Sequence, residues 1–205
     1  MIVSENVLIY LYRMNKFEKI REKISKIMEN SKFEEDPGHS ISVWKWVLKL
    51  KPDASEELQI AALAHDIDRA VEPTIMRLKG QSYYKYKAIH AKRSAEIIEH
   101  LMREFGYTGE LVKRVKFLVE NHEVGGDPET DVLRDADSIS YFDYNINFYF
   151  SRFGPETTKK KIRFMYRRAS DRVKEYIFSL RQSSDIQKQI DSAIAIVSSK
   201  TQNSV

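Results

Sequence analysis

The sequence predicts an all-α protein, a helical bundle. Three observations predict it. Apolar residues recur at helical spacing along most of the 205-residue chain. The seven glycines and five prolines gather at a few breaks between those segments. No pair of apolar runs alternates with period two around a turn signal, so no strand pair is expected. The length is enough for a substantial core, and no internal repeat is present.

Each element follows in order. Residues 16–30 place Phe17, Ile20, Ile24 and Ile27 on one helical face. The stretch "FEEDPGHS" breaks the chain, and "HSISVWKWVLKL" resumes a helix that ends before Pro52. Asp53 with Glu56 offers a capping box for a helix running to about Ala70. "VEPTIMRLKGQS" reads as a loop, residues 82–105 as a long helix stopped by Gly106, and Thr108 as the cap of a helix to about Asn121. Asp127 then caps and Pro128 takes the first position of the next helix. That helix, 129–151, is nearly all apolar or aromatic beyond Ser138 and is expected to run through the core. Gly154-Pro155 opens a basic helix with Ile162, Met165 and Ala169 inward. A last helix carrying Ile186, Ile190, Ile194 and Val197 precedes a polar tail expected to fray.

Composition narrows the function. The 34 basic and 30 acidic residues give a net charge of +4, which suits an anionic ligand and is too small to argue for nucleic acid. The absence of cysteine excludes disulfides and thiol catalysis. The N-terminal stretch has Glu5 and no basic n-region, a poor signal peptide, and no segment has the apolar length of a membrane span. These features predict a soluble, cytoplasmic protein without a membrane partner. The basic run "TTKKKIRFMYRRAS" reads as a solvated helix face rather than an RNA site, and "YFDYNINFYF" as core or pocket wall rather than a platform for bases.

The histidines carry the chemistry. His65 continues the stripe Leu58, Ala61, Ala62; His90 lies on that of Tyr83, Tyr86, Ile97 and Leu101; His122 ends that of Leu111, Val115 and Leu118. His39 follows Pro37-Gly38, and only His100 faces away. Singly, an inward histidine is most often a hydrogen-bonded core residue. Together with the His65-Asp66 doublet and Asp137 they read as a metal site, because histidine and carboxylate are the usual donors to first-row metals.

The ordered series "GHS…AHDIDR…IHAKRSA…ENHE…LRDADSI" resembles the HD superfamily of metal-dependent phosphohydrolases over about residues 33–150. The resemblance implies a single domain, 1–205. An HD-type core of about 33–152 would carry the N-terminal helix 1–32 and the C-terminal helices 153–200. It implies that His39, His65, Asp66 and Asp137 are ligands of a first metal, with Asp66 a candidate bridge, and that His90 and His122 match the extra histidines of two-metal members. Helical phase alone does not separate Asp135 from Asp137. Arg69, three residues after the doublet, resembles a basic position near the phosphate.

The implied activity is hydrolysis of a small phosphate ester, a nucleotide or cyclic nucleotide among the candidates, with one or two divalent ions (Mn, Fe, Ni, Co, Mg or Zn). Asp66 and Asp137 would orient the attacking water, and Glu123 is a candidate proton acceptor, although its simplest reading is a surface glutamate. Lys92 and Arg93 are further candidates for holding phosphate, with a solvated helix face as the plainer reading. Two other functions share the pattern: an HD-type di-iron oxygenase, and a catalytically inactive HD-fold nucleotide binder. Oligomeric state, a homodimer included, is open.

Overall fold

The computed structural model describes residues 5–73 and 78–202, with side chains described over 16–73 and 78–197. Among these residues the fold is all-α, without strands. The start of the expected N-terminal helix, the middle of the 71–82 loop and the expected frayed tail lie partly or wholly outside them. The chain divides into two compact units, residues 1–133 and 134–205.

The first unit holds α1 (Glu5–Met28), α2 (Asp36–Leu50), α3 (Glu56–Ala64), α4 (Tyr83–Glu104), α5 (Gly109–Asn121) and the start of α6 (Pro128–Ser140). Helix α3 packs against α1, α2 and α5, and α4 packs along α5. The core of this unit is aliphatic: Ile20, Ile24 and Met28 are buried, as are Val43, Val47, Leu58, Ala61, Ala62, Ile98, Val115 and Leu118. Phe17 and Ile27 of the expected stripe are only half-buried.

Three boundaries differ from those predicted. Helix α2 begins at Asp36 with Pro37 in its first turn, so His39 lies inside the helix. Helix α3 is capped by Ser55, whose hydroxyl accepts from the Leu58 N–H (3.2 Å), rather than by Asp53. It also ends at Ala64, not Ala70; His65 and Asp66 form its exit and Ile67–Ala70 a 3-10 turn. The Asp66 backbone, at φ −111° and ψ 18°, has left the α region. Asp127 caps α6 as expected, accepting from the Glu129 and Thr130 N–H groups at 3.0 and 3.3 Å.

The second unit continues α6 through a π-helical turn (Tyr141–Asn145) into α7 (Ile146–Arg168), then α8 (Asp171–Ser179) and α9 (Ser184–Gln202). Helix α7 is kinked at Gly154 (φ 72°, ψ 178°), which leaves the helical region before Pro155, so a new helical segment starts there as the sequence predicts. Ile162, Met165 and Ala169 are buried, as are Ile186, Ile190 and Ile194 of α9. The aromatic run is less buried than expected. Tyr141, Phe142 and Ile146 are enclosed, whereas Tyr144, Phe148, Tyr149 and Phe150 are half-buried and Asp143 and Asn147 exposed. No described helix is long and apolar enough to cross a membrane.

Candidate metal centre

Four helices of the first unit each bring one histidine to the same place. His39 comes from the first turn of α2, His65 from the exit of α3, His90 from the middle of α4 and His122 from the end of α5. All four are buried, and His100 is exposed, as the stripes predict. The rings form a chain of edge contacts: His39 to His65 at 5.2 Å between centroids, His65 to His122 at 5.3 Å, and His122 to His90 at 5.8 Å.

Asp66 lies at the centre. Its Oδ1 is 2.6 Å from Nε2 of His90 and 3.9 Å from Nε2 of His122. Its Oδ2 is 3.8 Å from Nε2 of His65 and 2.8 Å from the Arg69 guanidinium. The two carboxylate oxygens therefore face two different sets of donors, the arrangement of a carboxylate placed to bridge.

The tautomers follow from the backbone. Nδ1 of His65 is 2.9 Å from the Ala62 carbonyl, and Nδ1 of His122 is 2.7 Å from the Val119 carbonyl. A carbonyl only accepts, so each Nδ1 carries a proton and each ring turns its Nε2 edge toward Asp66. A metal-binding histidine is commonly fixed in this way by a second hydrogen bond from its other nitrogen. His90 is held differently, with Nε2 on Asp66 and Nδ1 2.6 Å from Asp68.

Charge points the same way. Asp36, Asp66, Asp68 and Glu123 surround the histidines and are opposed by Arg69 and Lys87. Four carboxylates gather here beside the two permanent cations, and buried charge must be compensated. Burial works against ionisation of Asp66, but Arg69, then His65 and His90, outweigh it and hold the carboxyl well below the usual range. Burial opposes the charge of His90 too, and is overcome chiefly by Asp66, so its pKa is raised. Arg69 is raised further against the same opposition by Asp66 and Asp36.

The donor set fits a divalent ion. Ligand atoms of Asp66, His90 and His122 all lie within 4.8 Å of one another, and these buried groups could bind metal. His39 and His65 form the other side of the cluster. Asp137 belongs to the second unit, where its carboxylate accepts from Arg168 at 2.8 Å, both side chains being buried. Asp135 is engaged by the N–H and hydroxyl of Ser170 at 2.8 and 2.5 Å, which fastens α6 to the start of α8.

Other residues singled out in the sequence are placed as follows. Arg69 is part-buried and spans Asp66 and Asp36, the latter at 3.1 Å. Arg93 donates to the Val71 and Pro73 carbonyls and so braces the segment after the doublet instead of facing the cluster. Lys92 is exposed. Glu123 is not a surface residue: it is paired with Lys87 and lies 3.1 Å from Nε2 of His122.

Three participants were not read from the sequence: Asp36, Asp68 and Lys87. The signals were present but unspecific. Asp68 repeats Asp66 two residues on, Asp36 precedes Pro-Gly-His39, and Lys87 lies at i−3 from His90 on the same face of α4.

The chain belongs to the family described as a domain of unknown function, DUF4202, whose model matches residues 13–190. No curated protein and no solved structure matches it.

Proposed function

We propose that the chain is a metal-dependent phosphohydrolase acting on a small phosphate ester. The observation that carries the proposal is the surround of Asp66, whose carboxylate has the Nε2 atoms of His65, His90 and His122 on its two sides and Arg69 at its edge. The ordered resemblance to the HD superfamily supports the same reading.

In the proposal His90, His122 and Asp66 would hold one ion, and His65 and His39 with Asp66 would take part in holding a second. A divalent ion supplies Lewis acidity toward a phosphoryl oxygen and lowers the pKa of water toward about 7 in favourable sites. The chain's own residues do the rest. The Ala62 and Val119 carbonyls fix the His65 and His122 tautomers, so that Nε2 is the donor at both. Asp36 and Asp66 hold the Arg69 guanidinium plane at the edge of the cluster, and its part-exposed donors are those offered to the phosphate. That cationic edge favours an anionic substrate over a neutral diol, and an oxygenase acting on an anionic phosphonate is told apart by the test below.

The test is metal content by elemental analysis, on untagged chain, joined to a panel of phosphate esters. We expect bound Mn, Co or Ni and metal-dependent phosphate release, both lost in Asp66→Ala. Arg69→Ala should retain metal and lose about 10–100-fold in kcat/KM, the worth of a charge-assisted hydrogen bond. Iron with oxygen uptake and no phosphate release would replace the hydrolase with the oxygenase. The expectation for Asp137 is checked by the metal content of Asp137→Asn.

A further inference from the structure

Lys87 is the only lysine among the described residues that is buried, at 7 % exposure. A lysine is seldom placed there, because taking an ammonium out of water is costly unless it is paired. Its partner is Glu123, itself nearly enclosed on the stretch that leaves α5. The proposed reaction has no use for this pair as a pair.

The geometry points to Glu123 as a further donor to the ion held by Asp66, His90 and His122, with Lys87 as the counter-charge of Glu123 while that ion is absent. The inference rests on the metal reading proposed above. Glu123 Oε1 stands 3.1 Å from Nε2 of His122, at the ring edge opposite the Nδ1 that is tied to the Val119 carbonyl. About 3 Å is the spacing of two neighbouring donors that share one ion about 2.1 Å from each. Glu123 and His122 are also adjacent in sequence, so the turn that aims one fixes the other.

Lys87 then has a physical purpose. Without an ion, a nearly enclosed carboxylate needs a positive neighbour, and an ammonium from α4 supplies it. It cannot ligate, having no lone pair when charged. When the ion enters, Glu123 donates to it and the ammonium's role as counter-charge passes to the metal. The proton acceptor suggested by the sequence thus becomes a ligand.

The experiment is calorimetric titration of Mn²⁺ into the demetallated full chain. Glu123→Gln, which keeps the shape and removes the charge, should weaken Mn²⁺ binding at least about tenfold, as measured for lesser changes around metal sites. Lys87→Met should bind Mn²⁺ no more weakly than the unaltered chain, since a competing cation is gone. The double variant Glu123→Gln, Lys87→Met leaves no buried ammonium unpaired, so it folds even where Glu123→Gln alone does not, and it too should bind weakly. Far-UV circular dichroism checks each fold. Unchanged affinity in Glu123→Gln and the double variant, with Asp66→Ala unable to bind, would overturn this inference and leave the metal reading standing. Weakening in Lys87→Met equal to that in Glu123→Gln would overturn the counter-charge role. Absence of Mn²⁺ binding in the unaltered chain, or binding undiminished in Asp66→Ala, would bring down the metal reading and this inference with it.

Discussion

Ser40 shows how a residue with no chemistry of its own secures the centre. Its buried hydroxyl donates to the Leu63 carbonyl at 2.5 Å, tying α2 to the last turn of α3 one residue after His39 and two before His65. Terminal carbonyls of a helix lack an intrahelical donor, and this one obtains it from a neighbouring helix. Ser40→Ala is expected to cost about 1–3 kcal/mol, the penalty of a buried acceptor left unmade, and to weaken divalent-ion binding as the two histidines lose their fixed spacing. A thermal melt and an ion titration on the same variant check the two halves. At this scale the sequence was most informative about histidines. An apolar stripe tells whether a side chain points inward, and four of the five do. It says little about charged residues such as Lys87, because their burial depends on partners from other helices that no local pattern reveals.

Helices α4 and α5 give the element scale its test. Lys116 of α5 and Arg103 of α4 hydrogen-bond Glu99 of α4, at 2.5 and 2.8 Å, and lower its pKa to about 2. A depressed carboxylate stabilises the fold at pH above its unfolded value of about 4.5, and that contribution is lost as pH falls toward 2. Partial exposure limits the effect to less than about 1 kcal/mol. Glu99→Gln should therefore flatten a small part of the acid limb of stability between these pH values and leave the neutral side nearly parallel to the unaltered chain. Denaturant titrations across that range are the check. At the next helix, Asp127 both caps α6 and receives Arg114 at 2.6 Å. Asp127→Ala is expected to cost about 1–2 kcal/mol in a thermal or denaturant melt, more than the loss of a surface ion pair alone. The Asp127 cap was legible because a cap followed by proline is a local signal. The end of α3 was not. No glycine or proline stops it, and the exit is set by Arg69 reaching back to Asp66 and by the Ser94 hydroxyl meeting the Asp68 N–H at 3.3 Å. The consequence reaches the centre, since the doublet lies on a helix exit, where Asp66 can turn one oxygen to each set of donors.

For the molecule as a whole, the buried cluster makes stability and metal binding one measurement. Carboxylates gathered beside buried imidazoles are tolerable in a fold only when their charge is compensated, and a divalent ion is the compensation proposed above. An ion that binds the folded chain and not the unfolded one stabilises it by about 2.7 kcal/mol when present at 100 times its Kd. For a chain of this size that corresponds to about 5–10 °C in Tm. We expect scanning calorimetry to show such a rise when Mn²⁺ is restored after chelation, and to show none in Asp66→Ala. A Tm indifferent to both chelator and ion would mean that the charges are balanced within the chain, with His90 and its neighbours protonated in place of a metal. A rise that survives Asp66→Ala would place the ion elsewhere on the chain. Because the shift follows concentration through Kd, the same scans at several ion concentrations rank Mn, Co, Ni, Zn and Mg. The metal that stabilises most at the lowest concentration is then the one to carry into the ester panel.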